Sequence, residues 1–118
     1  DGDLDLVLAI LGGRPLVCEN VGGERRAWIS VRCVGTRRDS TAIGARVTVE
    51  AGGRTQFGDV RSGGSYLSQS DLRLFFGLGQ AETVDRIRVR WPDGTVEEAR
   101  GVAPRRHHVF VEGRGLQR

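Results

Sequence analysis

Three stretches of this sequence hold side chains whose types and spacing could do chemistry. The chain opens Asp1-Gly2-Asp3-Leu4-Asp5-Leu6, with Asp1, Asp3 and Asp5 at every second position. Alternate carboxylates around a glycine can converge oxygens on one hard cation, which is how calcium loops are built. Three carboxylates fall short of the roughly six to eight oxygens calcium takes, so a polar turn leading into a strand is the competing reading. Farther on, Arg86, Arg88 and Arg90 recur at period two. Guanidinium groups so spaced on a strand would grip a carboxylate or sulfate on a glycan. The alternative is an exposed face paired across a hairpin with Glu97 or Glu98. Between them lies Arg61-Ser62-Gly63-Gly64-Ser65-Tyr66-Leu67-Ser68-Gln69-Ser70, small and polar around one aromatic. Tyr66, with the hydroxyls of Ser65 and Ser68 and the amide of Gln69, would offer a ring with adjacent donors and acceptors to a sugar or a peptide backbone. Equally, the glycines would permit a tight crossover, with Tyr66 and Leu67 capping the core.

Other chemistries are poorly provided for. Ser62, Ser65, Ser68 and Ser70 are the serines of that segment, and His107 and His108 stand near the end of the chain, but no local pattern resembles a nucleophile elbow. Adjacent histidines on a strand point to opposite faces, so one at most could serve a given site. The chain is therefore expected to be non-catalytic. Cys18 and Cys33 match no zinc spacing. Cys33 continues the alternation Ile29, Val31, Cys33 and reads as a small core residue, although a Cys18–Cys33 disulfide is conceivable in an oxidising compartment. All 18 basic residues are arginine, spread among 15 acids for a net charge of +3. Without a basic cluster or many aromatics, nucleic-acid binding is not expected. No apolar run reaches the ~20 residues that span a bilayer as a helix, so membrane insertion is not expected either.

The elements that must position these residues are strands. Trp28 to Val34 alternates, and Ile43, Ala45, Val47 and Val49 alternate with polar partners. Ala51-Gly52-Gly53-Arg54 makes a tight turn, with Arg54 to Val60 as the returning arm. Leu72, Leu74, Phe76 and Leu78 give another strand. In Val84 to Trp91, Ile87, Val89 and Trp91 face in while the three arginines face out. Pro92-Asp93-Gly94 turns the chain toward Thr95 to Ala99, and His108 to Glu112 forms a last strand. About seven short strands and no helix predict an all-β fold, an antiparallel β-sandwich or barrel-like sheet. Residues 27–113 read as the β domain, 114–118 as a tail, and 1–26 as the remnant of an earlier unit plus linker. The stretch Leu4 to Ile10 reads as an unpaired strand that could seek an edge on another copy, making a homodimer.

Four ordered motifs carry a family resemblance. Gly44-Ala45-Arg46-Val47-Thr48-Val49, the Arg61 to Gln69 segment, Phe76-Gly77-Leu78-Gly79 and Val89-Arg90-Trp91-Pro92-Asp93-Gly94 resemble the ASPIC/UnbV domain over roughly Trp28 to Glu112. The opening resembles the tail of an FG-GAP/VCBS repeat, in which Asp1, Asp3 and Asp5 match later acidic positions of the calcium loop. The resemblance implies a secreted, periplasmic or cell-surface parent, with a calcium-stabilised β-propeller of FG-GAP repeats ahead of this domain. It implies a binding or adhesion module for a protein or glycan, docked beside the parent's own propeller. An alternative is an accessory role in enediyne-type metabolism, binding or processing a small product. Merely capping the propeller is a third. The family supplies no catalytic residues to carry over, and Phe75 stands where relatives often have His.

Overall fold

The computed structural model describes residues 3–22 and 25–118. Among them the chain forms ten strands and no helix: β1 (Leu6–Leu8), β2 (Leu16–Cys18), β3 (Ala27–Val34), β4 (Arg46–Ala51), β5 (Arg54–Asp59), β6 (Leu74–Gly79), β7 (Val84–Arg90), β8 (Val96–Val102), β9 (Arg106–Val111) and β10 (Gly115–Gln117). Two four-stranded sheets, β10-β9-β3-β6 and β5-β4-β7-β8, share one core, while β1 and β2 form a hairpin of their own. The expected all-β sandwich is what the chain adopts.

Period-two alternation builds that core. Ile29 and Val31 of β3, Val47 and Val49 of β4, Ile87 and Val89 of β7, and Phe110 of β9 are all fully buried. Each such side chain contributes roughly 1.5–3 kcal/mol when withdrawn from water. Trp91, at the end of β7, closes the core at 2% exposure. The Gly52-Gly53 turn has φ of 56° and 75°, the pair of positive angles a two-residue hairpin turn requires. Gly35 is needed for a different reason: a Cβ there would lie 2.0 Å from the Asp39 carbonyl oxygen.

β3 runs antiparallel to β6 but parallel to β9, so the first sheet is mixed. Together with the hairpins of the second sheet, this carries loops 35–45, 60–73, 91–95 and 112–114 to one end of the sandwich. Backbone bonds tie them there: Gly44 N to Val60 O at 2.8 Å, Val60 N to Ala45 O at 2.8 Å and Glu112 N to Val34 O at 2.9 Å. The Glu112 carboxylate, 7% exposed as a residue, accepts the N–H groups of Thr36 and Arg37 at 2.8 and 3.1 Å. Chain entry at Ala27 is at the opposite end.

Three expectations need correction. Leu4 to Ile10 is not an unpaired strand: its central residues Leu6–Leu8 pair antiparallel with Leu16–Cys18, because Gly12-Gly13 lets the chain double back. The 114–118 segment is no tail, since Gly115–Gln117 adds to the edge of β9 and packs Leu116 against the core. And among the described residues the strands number ten rather than about seven; the additional ones are three-residue pieces too short for periodicity to reveal. The cysteines are both free, Cys18 exposed on the hairpin and Cys33 in the core, where burial pushes the thiol up to about 12.

Candidate functional site

The Tyr66 segment folds as a finger. Ser65 and Ser68 form an isolated antiparallel bridge, Ser68 N donates to Ser65 O at 3.3 Å, and Leu67 lies in the left-handed region at φ 47°. A leucine there is strained, because its Cβ crowds the following carbonyl. Tyr66 and Leu67 occupy the tip at 88% and 89% exposure, so neither caps the core. The polar neighbours mostly brace the loop. Ser68 Oγ donates to Tyr66 O, Gln69 Oε1 accepts from Gly63 N, and Gln69 Nε2 donates to Ser70 O. What the finger presents outward is therefore an aromatic ring and an isobutyl group. At the same end is a cleft of 430 Å³ whose lining includes Ala42, Ile43, Trp91 and Pro92, rimmed by Arg37 and Asp93.

Arg86, Arg88 and Arg90 point outward from β7 as expected, but much of their charge is answered within the sheet. Arg86 lies opposite Glu50 on β4 and makes a two-point pair with its carboxylate. Glu98 on β8 sits 3.7 Å from Arg86, 3.8 Å from Arg88 and 3.3 Å from Arg100. Beside them Arg46 binds Asp59 at 2.6 and 3.0 Å and covers the Phe57 ring at 4.7 Å. Hydrogen bonding to Arg86 holds the Glu50 carboxyl below its ordinary range, and Arg46 does the same for Asp59. Glu97 is not part of this face: its carboxylate accepts from the Trp91 indole and from Gly113 N. Arg90 alone of the three makes no ion pair among the described residues.

At the acidic opening, Asp1 lies outside the described residues. Asp5 accepts the Asn20 N–H at 2.9 Å, which ties the hairpin to the segment after it. The Asp3 carboxylate is shielded from solvent with no hydrogen-bond partner among the described residues. No cluster of three or more His, Cys, Asp or Glu among the described residues is placed to hold a metal ion.

A further group, unheralded by local sequence, gathers on the outer face of the first sheet. Ser30 of β3 lies between Phe75 of β6 and His107 of β9 in register. Ser30 Oγ and His107 Nδ1 share a hydrogen bond at 2.5 Å. The His107 ring centroid is 5.0 Å from that of Trp28 and 6.5 Å from that of Phe75, tilted by 54° and 85°. A serine beside an imidazole invites a hydrolytic reading, but Ser30 is fully buried and cannot reach a substrate. His108, pointing the other way, donates from Nε2 to Ala103 O at 2.9 Å and is structural. Ser62, Ser65, Ser68 and Ser70 have no hydrogen bond to either histidine. The only sequence signal for this group was that Trp28, Ser30, Phe75 and His107 fall on the non-core phase of their strands.

A family model described as ASPIC and UnbV matches residues 35–117. The chain belongs to the ASPIC and UnbV family. No curated protein and no solved structure matches it. The match takes in strands β4 to β10, and with them the Tyr66 finger and the arginine stripe of this ASPIC/UnbV domain. It starts after β3, so Trp28 and Ser30 lie outside the matched segment.

Proposed function

We propose that this ASPIC/UnbV domain is a non-catalytic binding or adhesion module, and that its partner is a protein engaged through the Tyr66 finger. The observation that carries this is the exposure of Tyr66 and Leu67 on a strained, internally braced turn. Strain at a surface turn with no packing to reward it points to function. Aromatic anchors on a pre-ordered support supply most of the energy of many protein interfaces, and rigidity cuts the ordering cost of binding. With Ser68 and Gln69 bonded within the loop and the Leu67 isobutyl group beside the ring at the tip, the finger suits a protein better than a glycan. The wider setting belongs to the same proposal: a secreted or cell-surface parent whose calcium-bearing FG-GAP repeats precede the domain, with Asp1, Asp3 and Asp5 as the end of that repeat.

The test is the full-length parent carrying Tyr66→Ala and Leu67→Ala together, in adhesion to immobilised matrix proteins. Removing two central anchors is expected to weaken adhesion by at least about tenfold while the melting temperature stays within about 2 °C. Unchanged adhesion by a folded double variant would overturn the assignment.

A further inference from the structure

The outer face of the β10-β9-β3-β6 sheet carries an aromatic corner that no fold requirement explains. Trp28 and Phe75 are half-buried and His107 is exposed, yet the core lies on the other side of the sheet. The rings of Trp28 and Phe75 are each inclined to that of His107 rather than stacked on it, and the Arg73 guanidinium lies 5.5 Å from the Phe75 ring centroid. His107 is held at Nδ1 by the buried Ser30 hydroxyl, and its Nε2 has no partner among the described residues. Beside the corner opens a cleft of 430 Å³ lined by Trp28, Phe75, Gly77, Arg26, Arg54 and Asp3. That volume lies in the range of small-molecule sites, which pair apolar walls with a few convergent polar groups. Asp3 also lines the cleft, with its carboxylate oxygens shielded from it. Arg26 and Arg54 in the same wall make no ion pair among the described residues and give the cleft a net positive charge.

We infer that this corner and cleft bind an acidic saccharide. The C–H face of a sugar ring rests on Trp28 with Phe75 at its side, and a carboxylate or sulfate on the sugar accepts from Arg26 or Arg54. Aromatic faces favour such polarised C–H edges, and guanidinium suits planar or tetrahedral oxyanions. An amine is opposed by the two arginines. The inference extends the binding-module reading to a separate surface and does not use Tyr66.

The test uses Trp28 as its own reporter, since Trp91 is buried and Trp28 lines the cleft. Hexagalacturonate and a chondroitin sulfate hexasaccharide are titrated against the tryptophan fluorescence of the chain, with maltohexaose as the neutral control. A saturable change is expected with at least one acidic probe, at least about tenfold tighter than with maltohexaose. Gly77→Leu is the decisive variant. A Cβ at Gly77 meets nothing within 4 Å and its φ is not in the left-handed region, so the fold tolerates it while the side chain fills the cleft. It should weaken binding by at least about tenfold with an unchanged melting temperature. Arg54→Ala should weaken it severalfold, and Tyr66→Ala should leave it unchanged, so this inference and the protein-partner reading fail separately. No saturation with either acidic probe at millimolar concentration, equal affinity for maltohexaose, or full affinity in folded Gly77→Leu would each overturn the inference.

Discussion

On the outside of the β5-β4-β7-β8 sheet, Arg46, Glu50, Asp59, Arg86 and Glu98 answer one another across neighbouring strands. On the outside of the β10-β9-β3-β6 sheet, Trp28, Phe75 and His107 meet over Ser30, and Arg32 stands exposed at the margin. Both faces come from the same period-two rule, and both have their backs to the same core. They differ in where their bonding capacity points. On the first, nearly every charge has an opposite charge one strand away, so little remains for an outside molecule except at Arg90. On the second, the far nitrogen of His107 has no partner among the described residues, and the rings meet one another and the Arg73 guanidinium rather than an opposite charge. Self-satisfaction marks a solvated structural face, and unsatisfied, fixed groups mark a candidate site.

The largest effect should come from beneath both faces. Phe110, fully buried between the sheets, when changed to Ala is expected to cost about 3–5 kcal/mol. Urea unfolding followed by tryptophan fluorescence and by far-ultraviolet circular dichroism should shift together. Separate transitions would show that the two sheets do not share one cooperative core, and the comparison of their faces would lose its footing.

A smaller effect is expected at Ser30. Replacement by Ala removes the hydroxyl that holds His107 and should cost about 0.5–1.5 kcal/mol. It should also free the imidazole to rotate, visible as averaging of its ring proton shifts relative to Trp28. An unchanged ring environment would mean that Trp28 and Phe75 alone set the corner.

The smallest change concerns the charged face and its sign is set by linkage. Glu50 and Asp59 titrate below their ordinary ranges in the folded chain because Arg86 and Arg46 bond the ionised forms. Their stabilisation is therefore present above about pH 4, the unfolded carboxylate range, and is lost as pH falls through the lower folded values. Between pH 5 and pH 3 the parent chain should lose melting temperature faster than a Glu50→Gln, Asp59→Asn variant. The difference should shrink in high salt, which screens exposed pairs. Parallel pH profiles for the two proteins would show that these pairs add nothing.

The seven longer strands, the turn at Gly52-Gly53, the outward set of Arg86, Arg88 and Arg90 and the identity of the family were legible in the sequence alone, because alternation and turn chemistry act between residues close along the chain. The inward set was legible for the same reason: Ile29, Val31, Ile87 and Val89 reveal their side of the sheet by spacing. What spacing could not show was who stands beside whom. Whether Arg86 meets Glu50 or Glu97 depends on register between strands 36 residues apart. Whether Tyr66 caps the core or leaves it depends on a turn held by Ser65 and Ser68. And the corner of Trp28, Phe75 and His107 exists because β3 takes β6 on one side and, in parallel, β9 on the other, bringing Ser30 within a hydrogen bond of a residue 77 positions away. Local sequence determines which way a side chain faces; only the closure of the chain into sheets decides its neighbours, and a binding site is made of neighbours.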